Sequence, residues 1–173
     1  ETVCHYFYKD GTFFKASSNT DTFSSDAANV FDVEKNTIDN YFKKSKNKYE
    51  LTSSLFLEKS LHKISTYLSK DTLKAIFNVR NLDINISLHE YNTSNFDDPK
   101  LIQLFDRFAT YNGSSPYLTP GIMSMIPHLE QYYGTFFPKG GMHSITESIY
   151  KLAQDLGVQI MSEEEYVNLI DQK

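Results

Sequence analysis

The chain has 173 residues, 40% of them hydrophobic, and a formal net charge of −5 at pH 7. This size and composition fit one domain with a hydrophobic core, and the interspersed acidic and basic residues exclude nucleic acid as an expected partner. Cys4 is the only cysteine, so an intramolecular disulfide is excluded and we expect a reducing, cytoplasmic compartment.

The sequence also shows no N-terminal signal peptide. No apolar run approaches the roughly 18 residues that a membrane-spanning helix needs. The first residue is Glu1 rather than methionine, and we interpret the chain as a fragment of a longer protein.

The N-terminal residues predict a β-hairpin. Two β-prone runs, residues 3–8 and 12–15, flank the Lys-Asp-Gly sequence at residues 9–11, and Asp-Gly in that position favours a tight turn. A two-stranded hairpin is marginally stable by itself. We therefore expect it to pair with residues 135–138 and 158–160, which would form a small mixed sheet from both ends of the chain.

Helices are predicted to follow the hairpin. A polar turn at residues 17–21 precedes a short helix at 21–31, and the apolar positions of residues 33–57 indicate a further helical segment. Four lysines within residues 43–48 are typical of a solvated helix face. The alternative is a contact with anionic lipid headgroups, in which each lysine contributes on the order of 1 kcal/mol.

Further helices are predicted beyond residue 60. Short ones are expected at residues 61–68 and 71–79, and the capping box of residues 87–90 (Ser-Leu-His-Glu) starts another. A second capping box at residues 144–147 (Ser-Ile-Thr-Glu) precedes an apolar stripe that Gly157 ends. That stripe consists of Ile145, Ile149, Leu152, Ala153 and Leu156. A last helix is predicted from Ser162 onward.

Residues 97–142 contain the most informative pattern. Asp98 followed by Pro99 indicates the start of a helix, because an aspartate caps free N–H groups and proline fits the first turn. Apolar residues then recur at steps of three and four, which predicts a buried helix face that ends at Gly113. These residues are Leu101, Leu104, Phe105 and Phe108, with Tyr111 as the continuation.

Thr119 and Pro120 repeat the cap-plus-proline signal for a second helix, which has almost no polar side. Its apolar residues are Ile122, Met123, Met125, Ile126 and Leu129. Such a helix must be covered by protein, lipid or an apolar ligand. Pro127 lies inside it and has no N–H group, so we expect a kink or break near Ile126.

The sequence of residues 105–113 (FDRFATYNG), with Pro116 and residues 137–142 (FPKGGM), resembles the flavin-dependent bacterial carotenoid desaturases, the phytoene desaturase family. The similarity is close over residues 88–160, looser over the hairpin and poor between residues 26 and 83. The resemblance implies FAD-dependent dehydrogenation of a carotenoid. Together with the predicted elements, it implies an α+β fold in which a mostly helical body packs on the small sheet.

Members of that family carry a G-x-G-x-x-G fingerprint in their FAD-binding domain. None of the seven glycines of this chain forms that motif. The resemblance therefore implies that residues 1–173 are a single domain, the substrate-binding and membrane-docking insert of a larger flavoprotein. Its partners would be the apolar polyene, the membrane surface as a peripheral contact, and the FAD-binding domain of the same parent. The fragment alone should bind no FAD and be inactive.

The aromatic content indicates how a polyene could be bound. The chain has 13 Phe, 12 Tyr and no Trp. A long polyene lacks hydrogen-bonding groups, so its site must be an apolar channel whose affinity comes from buried area at roughly 25 cal/mol per Å². The residues that we expect to line the channel are Phe108, Tyr111, Tyr117, Met123, Met125, Ile126 and Phe137.

Two further sites follow from the resemblance. The turn Lys139-Gly140-Gly141 would face the flavin, with a tight strand-to-helix turn as the alternative. Asp71, with Lys74, aligns with an acidic and a basic residue proposed to handle protons in some relatives, and the alternative is an ordinary aspartate at a helix N-terminus.

Other kinds of site have less support in the sequence. The five histidines have no metal-ligand spacing, and Gly113-Ser114-Ser115-Pro116 lacks the second glycine of a nucleophile elbow. Two alternatives remain open. One is a flavoprotein of the same fold that acts as an isomerase, saturase or oxidase on another isoprenoid. The other is a non-enzymatic helical interaction module in which residues 122–129 pack on a partner protein.

Overall fold

The structure is a computed structural model that describes residues 2–56 and 82–161. Its contacts divide the chain into two compact units, Glu1–Thr135 and Phe136–Lys173. Helices dominate and a small sheet accompanies them, so the predicted α+β class is confirmed. That residues 1–173 form a single domain of a larger flavoprotein stays a prediction. The helices predicted at residues 61–68, 71–79 and from Ser162 lie outside the described residues.

The first unit begins with the predicted hairpin. Strand β1 (Thr2–Phe7) pairs antiparallel with strand β2 (Phe13–Ser17). Gly11 has a φ of 86°, in the left-handed region that glycine tolerates, and the carboxylate of Asp10 accepts a hydrogen bond from the Thr12 N–H at 3.0 Å. The Asp-Gly turn is therefore confirmed.

The predicted extension of the sheet by strands from later in the chain is wrong. In the described part of the chain it contains β1 and β2 alone, and residues 135–138 and 158–160 are irregular instead of strands. Helix α1 (Thr20–Phe31) supplies the packing that the hairpin needs, because Phe14 and Ala16 of β2 belong to one buried cluster with α1. Pro138 moreover has no N–H group for a ladder.

Helices α1 and α2 (Lys35–Phe56) carry much of the core. Phe105, from a later helix, is 0% exposed, and its ring centroid lies 4.3 Å from that of Tyr41 and 4.8 Å from that of Phe96. The cluster is mostly aromatic, and its larger members are Phe14, Phe23, Phe31, Tyr41, Phe42, Tyr91, Phe96, Phe105 and Phe108. Seven of the 13 phenylalanines of the chain therefore belong to the core.

One of the four lysines of residues 43–48 is not solvated. Lys48 is 3% exposed, and its ammonium pairs with Asp83 at 2.8 Å, donates to Ser124 Oγ at 2.7 Å and lies 3.4 Å from the ring centroid of Tyr91. The other three lysines are exposed, as a solvated face predicts. Position 48 differs because it follows the buried Ser45 by three residues and shares its face of α2.

Two helix starts in the middle of the chain are confirmed. Helix α3 (Leu88–Asn95) begins with a complete capping box, in which the N–H of Ser87 donates to Glu90 Oε2 at 2.7 Å. Helix α4 (Pro99–Asp106) begins at Asp98, whose carboxylate accepts from the Leu101 N–H at 2.8 Å. A 3₁₀ helix, Arg107–Asn112, continues α4 and ends at Gly113 with a φ of 61°.

The predicted break near Ile126 is also confirmed. A 3₁₀ helix, Gly121–Met125, gives way to helix α5 (Ile126–Tyr133), and Pro127 lies in the first turn of α5, where a missing N–H does no harm. The expected cap by Thr119 is wrong. Its side chain forms no cap, and its carbonyl instead accepts a hydrogen bond from the Leu88 N–H at 2.7 Å.

The second unit contains helix α6 (His143–Asp155), which starts two residues earlier than a cap at Ser144 would place it. The capping box at residues 144–147 is absent because the Ser144 hydroxyl donates to the Gly141 carbonyl, at 2.7 Å, instead of capping a helix N–H. Gly157 follows the helix with a φ of 80°, as expected of a helix stop. None of the residues of α6 is buried, so its apolar stripe is exposed.

A buried polar network joins three helices of the first unit. Asn92 of α3 is 0% exposed; its carbonyl oxygen accepts from the Tyr41 hydroxyl at 2.7 Å, and its amide donates to Asp106 Oδ1 at 2.7 Å. His89 Nδ1 lies 2.7 Å from the other oxygen of Asp106. Buried polar groups that satisfy one another in this way specify a single arrangement of the helices around them.

We expect Asn92→Ala to lower the free energy of unfolding by about 2–4 kcal/mol, because the Tyr41 hydroxyl and the Asp106 carboxylate would each lose a buried partner. Urea denaturation followed by circular dichroism measures this change. Asn47→Ala, on the exposed face of α2, is the matched control and should alter stability by less than about 0.5 kcal/mol. Equal effects of the two variants would contradict the role of the network.

Candidate functional site

An open groove in the first unit lies along α5 and beside the 3₁₀ helix Arg107–Asn112. Its volume is about 430 Å³, which is within the range of small-molecule sites. Most of its lining is apolar or aromatic. The lining residues are Tyr111, Asn112, Met123, Met125, Ile126, Leu129, Glu130, Tyr133, Gly134 and Thr135.

The proline break explains how the groove forms. Met123 and Met125 belong to the 3₁₀ helix before the break, and Ile126 and Leu129 belong to α5 after it. The two helix types place successive side chains at different angles, so the change of type brings residues of both segments to the lining of one groove. Methionine adapts to irregular apolar surfaces, which suits such a site.

Glu130 is the one charged residue among those that line the groove. Its side chain is 6% exposed, and Oε2 accepts a hydrogen bond from Arg107 Nη2 at 3.0 Å and from the Tyr111 hydroxyl at 3.2 Å. The Arg107 guanidinium also lies 4.5 Å from the ring centroid of Phe108, within the range of a cation–π interaction.

Burial and charge set the protonation of this cluster. Burial raises the pKa of the Tyr111 hydroxyl, and the negative charge of Glu130 raises it further, so Tyr111 stays protonated and donates. Burial alone would lower the pKa of Arg107, but the charges of Tyr6 and Glu130 raise it above its ordinary value. Arg107 therefore remains a cation opposite the carboxylate of Glu130.

Four of the residues predicted to bind substrate meet in this groove, namely Tyr111, Met123, Met125 and Ile126. Tyr111 is 54% exposed, whereas Ile126 is 6% exposed. Phe108 does not line the groove. It is a core residue at 5% exposure, since the 3₁₀ helix directs position 108 toward the aromatic cluster around Phe105.

The remaining predicted residues lie elsewhere. Tyr117 is 65% exposed, and its ring centroid lies 4.4 Å from that of His89. Phe137 belongs to the second unit and is 77% exposed. Asp71 lies outside the described residues. The binding roles of Tyr117 and Phe137 and the catalytic role of Asp71 stay predictions.

The turn Lys139-Gly140-Gly141 has the form of a tight turn. Gly140 and Gly141 have φ angles of 91° and 89°, and the Gly141 N–H donates to the Pro138 carbonyl at 3.0 Å. This N–H group is engaged within the turn, and the sequence has no dinucleotide fingerprint. The Gly141 N–H is therefore not free to bind FAD in this conformation, and the flavin-facing role of the turn stays a prediction.

Local spacing in the sequence does not predict the partners of Asp106 and Arg107. In the structure Asp106 bonds to α3 and Arg107 pairs with Glu130 of α5. Glu130 was not predicted to be a site residue. A glutamate in an amphipathic helix is normally solvated, and no spacing rule connects it to an arginine 23 residues earlier.

Comparison with known proteins adds the class of protein. No protein-family model matches this chain. The chain is 57% identical over 159 residues to the 1-hydroxycarotenoid 3,4-desaturase of Flavobacterium sp. (strain P99-3), a match that covers 92% of this chain and 32% of that protein. It is 43% identical over 63 residues to the 4,4'-diapolycopene oxygenase of Methylomonas sp, with 36% of this chain and 13% of that protein covered.

A third relative is the 4,4'-diapophytoene desaturase (4,4'-diaponeurosporene-forming) of Staphylococcus aureus, 31% identical over 113 residues, or 65% of this chain and 22% of that protein. These relatives are enzymes that act on carotenoids. More particularly, two of these three relatives are carotenoid desaturases, and the predicted resemblance to that family is confirmed. The chain spans about a third of the length of the Flavobacterium protein.

We expect Glu130→Leu to destabilise the protein by about 2–4 kcal/mol, because it leaves the partly buried cation of Arg107 without a partner. The double variant Arg107→Met with Glu130→Leu should recover most of that loss, since two apolar side chains can replace a buried ion pair. Chemical denaturation followed by circular dichroism provides both values.

The exposed pair Lys46–Glu50, whose charged atoms are 3.7 Å apart, is the matched control. A double-mutant cycle on that pair should give a coupling energy below about 1 kcal/mol. If the coupling between Arg107 and Glu130 were equally small, the ion pair would not be a structural element of the groove.

Proposed function

We propose that the protein containing this chain is a carotenoid desaturase, and that this chain binds the apolar polyene and positions it for dehydrogenation. The observation that carries the proposal is the 57% identity with the Flavobacterium desaturase over 92% of the chain. The redox chemistry would be that of FAD, held by a part of the parent that lies outside this chain. The residues of this chain supply position and exclude water.

The name of that relative suggests the substrate and the bond. It acts as a 1-hydroxycarotenoid 3,4-desaturase, and we infer the same substrate class here, with hydrogen removed from the bond between carbons 3 and 4. Carbon 1 lies at the end of the polyene, so the hydroxyl group and the reacting bond are near neighbours. A site for this reaction therefore has to hold one end of the molecule.

The groove has the size for such an end. A volume of about 430 Å³ is within the range of small-molecule sites. A carotenoid is much longer, so only its end would lie in the groove. Met123, Met125 and Leu129 would contribute a binding free energy of about 25 cal/mol for each Å² of apolar substrate surface that they cover.

A peripheral membrane contact is proposed for the second unit. Phe136 and Phe137 are adjacent and have exposed fractions of 89% and 77%. Phenylalanines exposed in this way suit the boundary of a lipid bilayer, which is where an apolar carotenoid accumulates. Ile126 is too deeply buried to contact lipid. Among residues 2–56 and 82–161 no helix is long and apolar enough to cross a bilayer.

A different partner is proposed for the exposed apolar stripe of α6. About two thirds of the length of the Flavobacterium relative lies outside the matched region, and that remainder would include the FAD-binding domain. We propose that this domain covers Ile149 and Leu152, whose exposed fractions are 63% and 57%. Burying such a stripe within one protein is the usual fate of an amphipathic helix.

A second candidate activity is oxygenation of a carotenoid. It is favoured by the 43% identity with the Methylomonas oxygenase, although that match covers 36% of this chain. Analysis of the products distinguishes the two activities, because a desaturase yields a longer conjugated system and an oxygenase adds oxygen. We favour the desaturase because the longer and closer match is to a desaturase.

Filling the groove should impair the reaction. We expect Leu129→Trp to lower kcat/KM of the full-length protein for a 1-hydroxycarotenoid by at least about tenfold, because the larger ring occupies space meant for substrate. The assay follows the new absorbance of the desaturated product in detergent micelles. Leu118→Trp is the matched control, since Leu118 is 81% exposed and outside the groove. A similar loss in both variants would contradict the proposed site.

Removing the exposed phenylalanines should weaken membrane binding. We expect the double variant Phe136→Ser with Phe137→Ser to reduce flotation of the full-length protein with phosphatidylglycerol-containing liposomes by about tenfold or more, because two apolar side chains leave the bilayer. Leu118→Ser, an equally exposed apolar change in the first unit, serves as the control. Unchanged flotation of the double variant would refute the proposed membrane contact.

A further inference from the structure

We propose that Glu130 is a specificity-determining residue that binds the 1-hydroxy group of the substrate. The hydroxyl would donate a hydrogen bond to the carboxylate of Glu130 while the adjoining hydrocarbon lies against the apolar groove. This proposal rests on the function proposed above and adds a residue that selects the hydroxylated substrate.

The first argument is the composition of the groove. A hydrocarbon end needs no charged group, and an ionised carboxylate in an apolar wall carries a desolvation penalty. The groove nevertheless contains Glu130 among its lining residues, at 6% side-chain exposure. A carboxylate in that position is useful when the ligand brings a hydrogen-bond donor to it, and an alcohol is such a donor.

The second argument is the hydrogen-bond capacity of the carboxylate. The two oxygens of an ionised glutamate offer about four acceptor positions. Oε2 receives Arg107 at 3.0 Å and the Tyr111 hydroxyl at 3.2 Å. For Oε1, the contact found among the described residues is a long one, from Arg107 Nη2 at 3.4 Å. Oε1 therefore retains capacity to accept the O–H group of a ligand.

The third argument is that the carboxylate is held in place before any ligand binds. Arg107 pairs with Glu130 and fixes its position from one side, and Tyr111 donates to it from the edge of the groove. A pre-oriented acceptor binds a neutral alcohol more strongly than a mobile one, because little side-chain entropy is lost on binding. Hydrogen bonds to a charged group are also about twice as strong as neutral ones.

The fourth argument is the distance along the substrate. Carbon 1 carries the hydroxyl group, and the bond to be desaturated begins two carbons further along. If the hydroxyl lies on Glu130, carbons 3 and 4 are only a few bonds away and lie in or beside the same groove. The groove is open, so a bond held there remains accessible from outside this chain. Recognition of the hydroxyl would thus also position the reacting bond.

The test compares two substrates of the full-length holoprotein, a 1-hydroxycarotenoid and the same polyene without the hydroxyl. We expect Glu130→Gln to lower the ratio of their kcat/KM values by about 10–100-fold, because one charge-assisted hydrogen bond is weakened. The kcat/KM for the polyene without the hydroxyl should fall less than that for the 1-hydroxycarotenoid, because it makes no hydrogen bond to position 130. Glu50→Gln, on the exposed face of α2, is the matched control and should leave the ratio unchanged.

A purely structural role for Glu130 would lower both kcat/KM values equally, and that result would overturn the proposal, as would an unchanged ratio. If the wild-type protein desaturated neither substrate, the proposed function would fail instead. These outcomes are distinct, because the substrate ratio is defined only for an active wild-type protein.

A measurement on the wild-type protein covers the case in which Glu130→Gln does not fold. Isothermal titration calorimetry compares dihydromyrcenol, a short isoprenoid with the same tertiary alcohol end, with its hydrocarbon dihydromyrcene. We expect the alcohol to bind at least about tenfold more tightly, since it adds a hydrogen bond to a charged acceptor. Equal affinities, or tighter binding of the hydrocarbon, would overturn the proposal without reference to desaturase activity.

Discussion

The arrangement of the first unit depends on two adjacent charged residues at the end of α4 that bond in different directions. Asp106 accepts hydrogen bonds from Asn92 and is paired with His89, both of α3, and Arg107 pairs with Glu130 of α5. Each of these contacts is at least partly buried, where an unmade hydrogen bond carries a large penalty. The two residues therefore fix α3 and α5 against α4.

This constraint bears on the open apolar groove of the first unit. Apolar side chains left to themselves would close the space beside α5, because every buried methylene is favourable. The Arg107–Glu130 pair resists that collapse, since its charges have to remain together and partly accessible. The groove thus lies beside a largely buried ion pair and the break at Ile126, and Glu130 of that pair is its one charged lining residue.

The sequence predicted those features that depend on neighbouring residues. The Asp-Gly hairpin turn, the capping box at Ser87, the Asp98 cap and the break before Pro127 are all local, and all are present. Met123, Met125 and Ile126 reach the groove together because they are close in sequence. Features that depend on distant residues could not be predicted. No local pattern encodes the Lys48–Asp83 pair or the pairing of Arg107 with Glu130. Nor does one show that a helix, and not further strands, packs on the hairpin.

The most direct measurement is an experimental structure of the full-length protein with a 1-hydroxycarotenoid bound. The account predicts that the hydroxylated end lies in the groove between Tyr111 and Leu129, with its oxygen about 2.5–3.0 Å from the carboxylate of Glu130. A structure in which the carotenoid binds elsewhere, or in which another segment of the parent fills the groove, would contradict the account.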